Sequence, residues 1–259
     1  MQVFVTERAG HARELTAALL RQGVRRIVGW GGDGTVNEIG SVMAFQDATL
    51  GIIPSGSGNG LARELTIPFD PARAFEIALA GREYHIDAGE LDGHLFFNVA
   101  GLGLDARVAH RFAAGGLVRR GFARYVAITA RELFTYKPDE HTISADGASM
   151  RAHTLLIAIA NSRQYGNGAV IAPDARLDDG KLDVVVVAAR SPLAVLAQVP
   201  RVFMGQMSRI PGVSTRAAVD IEITSAGPVL YHVDGEPYVG GASISARPHP
   251  GALRVTVPR

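Results

Sequence analysis

The chain has 259 residues, 47% hydrophobic and 20% charged, which is enough for one large domain or two modest ones and too apolar for a disordered segment. Its 26 basic and 25 acidic side chains leave a net charge of +1, so the whole molecule is not built to attract nucleic acid or an anionic membrane, and any electrostatic role is local. Cysteine is absent, which excludes disulfides, thiolate nucleophiles and Cys-ligated metal. With no apolar run near ~18 residues and no signal-peptide pattern in MQVFVTERAG, a cytoplasmic protein is expected.

The first part alternates strand-like and helix-like runs. Val3 to Thr6 predicts a strand, AGHARELTAALLRQ a helix, Arg26 to Trp30 a strand, TVNEIGSVMA a helix and Thr49 to Pro54 a strand, a βαβαβ rhythm that implies a parallel sheet. Two further helices are expected, over Asn59 to Thr66 and after an Asp70 N-cap with Pro71 at the first position and Gly81 beyond the end.

From about Glu83 the period changes to two, as in Val219 to Ile223 and Ala242 to Ser245, with Asp-Gly pairs at 92, 146, 179 and 234 that signal hairpins. One helix is expected at about 117–136. Gly101 to Ala106 looks like a dinucleotide fingerprint but lacks a βαβ unit and reads as a turn. The predicted architecture is α/β plus all-β: a parallel-sheet nucleotide-binding domain over 1–88, with 249–259 as a candidate to rejoin it, then an antiparallel β-sandwich-like domain over 89–248. The active site is expected in the cleft between them.

Two glycine loops carry the chemistry. Gly31-Gly32-Asp33-Gly34-Thr35-Val36-Asn37-Glu38 runs from a strand into a helix, where missing Cβ atoms let phosphate oxygens reach backbone N–H groups at the positive end of the helix dipole. Asp33 is the unusual residue there, since a carboxylate beside phosphates repels them unless it binds Mg²⁺ or accepts a proton; capping the helix is the plainer reading. The second loop, PSGSGNGLAR over 54–63, again links strand to helix. Neither Ser55 nor Ser57 fits Gly-x-Ser-x-Gly, and Gly180-Lys181 is followed by Leu182, so a hydrolase elbow and a Walker A loop are both disfavoured. Taken alone, Asp179-Gly180 and Asp234-Gly235 are hairpin turns.

The pair GGDGTVNE and PSGSGNGLAREL resembles the diacylglycerol kinase and sphingosine kinase catalytic-domain family, including bacterial lipid kinases. Thr6 in VTERAGHA, Ala175 to Asp183 and Val233 to Pro237 match further, in the right order. The resemblance implies ATP-dependent phosphorylation of a lipid hydroxyl. Thr6, Gly31, Gly32, Asp33, Gly34, Thr35, Val36, Asn37 and Ser57 would contact ATP. Glu236, with Asp234 in the same turn, matches the proton acceptor of bacterial members, whereas sphingosine-kinase-like members give that role to the residue matching Asp33. Mg²⁺ would take the Asp179 carboxylate and backbone oxygens of Arg176 and Lys181. NAD kinase-like or other small-molecule kinases share the Gly-Gly-Asp-Gly loop and stand as an alternative that SGSGNGLAR and Asp-Gly-Glu argue against; a non-catalytic nucleotide- or lipid-binding member is another.

Partners implied are a lipid presented at a membrane surface and no nucleic acid. Between Arg107 and Lys137 seven basic residues (107, 111, 119, 120, 124, 131 and 137) face one acid, Glu132, with apolar residues between them. Peripheral membrane contact and a solvated helix face fit that segment equally. Family members also begin with a strand and an Asn-Pro-x-x-Gly-type loop ahead of the segment matching Val3 to Thr6. Without them an open sheet edge, either a homodimer or partial instability, and a weaker ATP cradle are expected.

Overall fold

A computed structural model of the chain describes residues 2–114 and 122–259, and at 122–125 the backbone. In chain order the first layer holds α1 (His11–Arg21), β1 (Arg26–Gly31), α2 (Asp33–Met43), β2 (Thr49–Pro54), α3 (Gly60–Glu64) and α4 (Pro71–Ala80). Then follow β3 (Arg82–Leu91), β4 (His94–Phe96), β5 (Val99–Gly103), α5 (Leu104–Ala114), α6 (Phe122–Thr135), β6 (Asp139–Ala145), β7 (Ala148–Ala160), β8 (Gln164–Gly166) and β9 (Ala169–Val170). The last elements are β10 (Leu182–Ala188), α7 (Pro192–Leu196), α8 (Val199–Phe203), β11 (Val213–Ala218), β12 (Ile221–Ser225), β13 (Leu230–Val233), β14 (Glu236–Val239) and β15 (Ser243–Val257). Among the described residues no helix is long and apolar enough to cross a membrane.

β1 and β2 pair in parallel from Arg26↔Thr49 to Gly31↔Pro54. Gly29 lies against Ile39 of α2 and Gly51 against Ala78 of α4. These two glycines are one position out of register, so they point to opposite sides and the sheet is covered on both faces. Leu50, Ile52 and Ile53 are consequently at most 2% exposed, each such side chain adding about 1.5–3 kcal/mol. α4 begins as its sequence predicts, with the Asp70 carboxylate accepting the Arg73 N–H at 2.9 Å. Gly81 ends it for lack of space: a Cβ there would sit 2.5 Å from the Ile77 carbonyl and 2.6 Å from that of Val257.

The second half is a mixed α/β fold's antiparallel part, a β-sandwich-like assembly around Phe96, Leu102, Ile157, Ile159, Ile223 and Tyr231. Two long strands join it to the first layer. β15 runs antiparallel to β3 over nearly its whole length, pairs with β12 at its start, and ends in parallel beside β2, with Arg254↔Thr49 and Val255↔Leu50. Their ladder is interrupted between His249 and Leu253, where Gly251 has a φ of 61° and its N–H donates to Asp87 Oδ1 at 2.7 Å.

Several expectations change. Val3 to Thr6 forms no strand: residues 2–7 make no ladder, and Val3, Phe4 and Val5 are exposed. A strand exists only where a neighbour takes its backbone groups, and these residues have none among the described ones. The Asp-Gly pairs at 92, 146 and 234 are two-residue hairpin turns with both residues at positive φ, but only Gly180 of the fourth pair is, and that pair lies in the loop before β10. The run from Val219 starts its strand two residues late, because the N–H groups of Val219 and Asp220 donate to Asp146 Oδ1 at 3.0 and 2.9 Å. The helix expected at about 117–136 is α6, over Phe122–Thr135, but a further helix, α5, precedes it, and Gly101 to Ala106 is the strand-to-helix junction between β5 and α5.

Candidate active site

Both glycine loops leave the C-terminal ends of adjacent parallel strands. They touch backbone to backbone, since a Cβ on Gly56 would lie 2.5 Å from Gly32 Cα. Gly32 precedes α2 in an extended conformation and offers no side-chain cap. The first-turn N–H groups of an α-helix have no partner within it, so the 11-residue α2 presents them, with its dipole, toward the loops. The second loop is held by Asn59, at a φ of 50°, whose carboxamide accepts the Gly56 N–H at 2.9 Å and donates to the Gly56 carbonyl at 2.7 Å.

Asp33, Asn37 and Glu38 of α2 each reach another element. Asp33 accepts the Gly60 N–H at 2.7 Å and so caps α3 across the loop contact. Burial pushes its carboxyl above the ordinary carboxylate value, against the pull of the Gly60, Asn59 and Leu61 N–H groups. Glu38 accepts from the N–H groups of Gly10, Ala12 and Arg13 at 2.8, 3.1 and 3.4 Å and caps α1. Asn37, buried one turn beyond Asp33, donates to the Leu95 carbonyl and to Asp234 Oδ2, both at 2.9 Å.

Asp234 is the counterpart across the cleft. Its carboxylate also accepts the N–H groups of Phe97 at 3.0 Å, Asn98 at 3.0 Å and Val99 at 3.1 Å. Burial nevertheless pushes its carboxyl up, opposed by those donors and the Asn37 amide and reinforced by the charge of Asp33. It therefore anchors the β13–β14 turn rather than facing solvent. The turn is fixed from behind by His232, whose Nδ1 accepts the Gly235 N–H at 3.3 Å and whose Nε2 meets Asp105 Oδ2 at 3.1 Å, with the Tyr165 hydroxyl donating to the same oxygen. With both ties in place, the next residue, Glu236, is exposed and reaches α2: its Oε1 lies 3.4 Å from where a Cβ on Gly34 would be. A cavity of about 200 Å³ is lined by Arg13, Asn37, Ser41, His94 and Tyr238.

The other expected residues fall into three groups. Gly31, Gly32, Gly34, Thr35 and exposed Ser57 line the two loops, while Val36 is buried in the core and its N–H closes on the Gly32 carbonyl at 3.0 Å. Thr6 is exposed outside any element, without a hydrogen bond among the described residues. The Arg176 to Lys181 loop rests on buried Asp87: Gly180 N–H donates to its Oδ2 at 2.7 Å, and its own N–H donates to the Leu177 carbonyl at 2.6 Å. Asp179 Oδ1 accepts the Lys181 N–H at 3.1 Å. Among the described residues no three His, Asp or Glu side chains gather for a metal, so a cation there would use one carboxylate and main-chain oxygens, a hard-cation donor set. Burial, with the Asp179 and Asp174 charges and against that of Lys181, pushes the nearby Asp183 carboxyl up to about 6. In the basic stretch Glu132 takes Arg107 at 2.5 Å and Arg111 at 3.5 Å, tying α5 to α6. Arg119, Arg120 and the Arg124 side chain lie outside the described residues.

Reading the residues alone did not find the Asp105–His232 pair, the Glu38 cap or Trp30, which is 63% exposed next to Gly31. Only the position of Trp30 at the mouth of a glycine loop could have flagged it.

Two family models match the chain: a diacylglycerol kinase catalytic domain over residues 1–91 and a YegS C-terminal NAD kinase beta sandwich-like domain over 98–257. Among curated relatives, a "Probable lipid kinase YegS-like" of Pseudomonas aeruginosa is 31% identical over all of this chain and 85% of its own length. Another of that name, from Yersinia enterocolitica, is 30% identical over all of this chain and 87% of its own. The crystal structure of a diacylglycerol kinase from Bacillus anthracis superposes with a TM-score of 0.76 at 20% identity, covering 99% of this chain and 84% of that one. That likeness concerns the fold.

Proposed function

The chain belongs to the diacylglycerol kinase catalytic-domain family, in its YegS-like lipid kinase branch, and on that premise we propose that it transfers the γ-phosphate of ATP to a hydroxyl of diacylglycerol, a sphingoid base or a related lipid at a membrane surface. The observation that carries the reading is the meeting of Glu236, from the second half of the chain, with the uncapped N-terminus of α2.

Bound ATP supplies the phosphoryl group. The backbone of Gly31 to Thr35 fits its phosphates, because the glycines leave room and the α2 N–H groups are unpaired within their helix. Glu236 stands as the base: its carboxylate takes the proton of the lipid hydroxyl as that oxygen forms its bond to the γ-phosphorus and the bond to the ADP oxygen breaks. Asp33 is assigned a positioning role, since its carboxylate is engaged by the α3 N-terminus. Asp234 and Asn37 hold the Glu236 turn against α2. Asp179, with the carbonyls of Arg176 and Lys181, would hold Mg²⁺.

The test uses labelled ATP with Mg²⁺ and a panel of lipids, NAD and sugar phosphates. Trp30, the sole tryptophan, reports nucleotide binding by fluorescence. Glu236→Gln is expected to bind ATP like the parent and to lose about 10²–10⁴-fold in turnover. Full turnover by that variant removes Glu236 from the role, and transfer to NAD in place of lipid overturns the substrate class.

A further inference from the structure

α7 and α8 are composed almost entirely of apolar residues, PLAVL and VPRVF, yet neither contains a single buried residue. Leu193 is 72% exposed, Met204 59%, Phe203 48%, Leu196 41% and Val199 40%, all within twelve residues of chain. A monomer seldom leaves such a patch contiguous unless something covers it. The inner sides are anchored: Val195 packs on the cluster of Leu104, Val108 and Leu133, and Val202 on the cluster that includes Tyr165. The exposed side chains are thus the outer face of a fixed element.

The charge around this face identifies its partner. From Asp183 to Asp220 the chain contains Arg190, Arg201, Arg209 and Arg216 and no acidic residue between those two aspartates. Arg190, Arg209 and Arg216 are exposed. Apolar side chains that can enter the acyl boundary, flanked along the chain by exposed arginines that can meet lipid phosphates, are the chemistry of an interfacial segment for an anionic bilayer. A second copy of this chain would bring the same acid-free, arginine-bearing segment against itself and is disfavoured.

The face is also connected to the candidate site. The Leu104 cluster involves α5, which packs on the β13–β14 hairpin that carries Glu236, and Tyr165 of the other cluster bonds Asp105 behind that hairpin. We propose that the α7–α8 face docks the protein on an anionic lipid surface, with Leu193, Leu196, Val199, Phe203 and Met204 entering the interface and Arg190 and Arg209 at its rim. The proposal adds a docking surface to the lipid-kinase reading and is tested apart from it.

The experiment is co-sedimentation of the full chain with vesicles of phosphatidylcholine containing phosphatidylglycerol, against phosphatidylcholine alone. Binding to the anionic vesicles is expected to fall as salt rises from 0.1 to 1 M and the screening length shrinks from about 10 to about 3 Å. Leu193→Glu with Phe203→Glu should weaken partitioning at least about tenfold, as expected for withdrawing two apolar anchors, and Arg190→Gln with Arg209→Gln should flatten the salt dependence. Both double variants should keep the parent's melting temperature and its turnover of a short-chain, monomeric diacylglycerol. Equal binding by parent and Leu193→Glu, Phe203→Glu, no binding by the parent, or a parent dimer in sedimentation equilibrium that this variant splits would each overturn the proposal. Absence of turnover on monomeric substrate by every form would count against the kinase reading and leave the vesicle result to decide docking.

Discussion

Replacing Asp33 separates its structural work from the chemistry at the α2 N-terminus. Asp33→Ala leaves the Gly60 N–H, now 2.7 Å from a carboxylate oxygen, without that acceptor at a buried helix start. The loss of one such partner costs about 1–3 kcal/mol, which for a chain of this size is about 2–4 °C of melting temperature per kcal/mol. Asp33→Asn keeps an acceptor oxygen and removes the buried charge. Because burial raises the Asp33 carboxyl above its ordinary value of 3.8, folding favours the protonated form. Its contribution is full below that value and is lost as pH climbs through the raised one. At pH 7 the order of stability should therefore be Asp33→Asn at or above the parent, and the parent above Asp33→Ala. The gap between parent and Asp33→Asn should narrow as pH falls toward 4. Urea unfolding at pH 7 and pH 4.5, followed by far-UV circular dichroism and Trp30 fluorescence, measures this. An Asp33→Ala protein as stable as Asp33→Asn would refute the cap across the two loops.

Asp234→Ala strands the four donors of Asn37, Phe97, Asn98 and Val99 and should cost roughly 3 kcal/mol or more, with Asp234→Asn recovering part; amide hydrogen exchange should show the β13–β14 turn opening first, and uniform loosening would refute the assignment. His141 is 4% exposed, with Nδ1 2.9 Å from Thr154 Oγ1, and burial lowers its pKa from 6.5. Stability is therefore full above about 6.5 and falls as pH drops through the lowered value; His141→Gln should flatten the difference in urea midpoint between pH 7.5 and pH 5, and an unchanged difference would assign it elsewhere.

What the amino-acid order reveals depends on how local the cause is. Thr49 to Pro54 and the helix from Pro71 are readable because an apolar run and a Ser/Asp-type cap act within a few residues. Leu104 to Ala114 was hidden because Gly103, at a φ of 97°, turns a strand into a helix without a linker, and turn chemistry in GLGLDA looked like an ending. The glycine loops drew attention through residue type alone, and the structure brings them into contact at Gly32 and Gly56. The destinations of Asp33, Asn37 and Glu38 were not legible, since each carboxylate or amide meets a partner at least 25 positions away and no spacing rule names it.

The strand that closes the β1–β2 layer arrives last. β2 finds its second neighbour only when Arg254 and Val255 reach Thr49 and Leu50, about 200 residues of synthesis later, roughly 10–40 s at ribosomal speed. Throughout that interval the nascent chain exposes an unpaired edge at Thr49 and Leu50, the kind of edge that other strands adopt. Production of this protein should accordingly depend on holdase chaperones that shield the emerging segment, and the strand between the two glycine loops, translated early, gains its β15 neighbour only after the ribosome has almost finished.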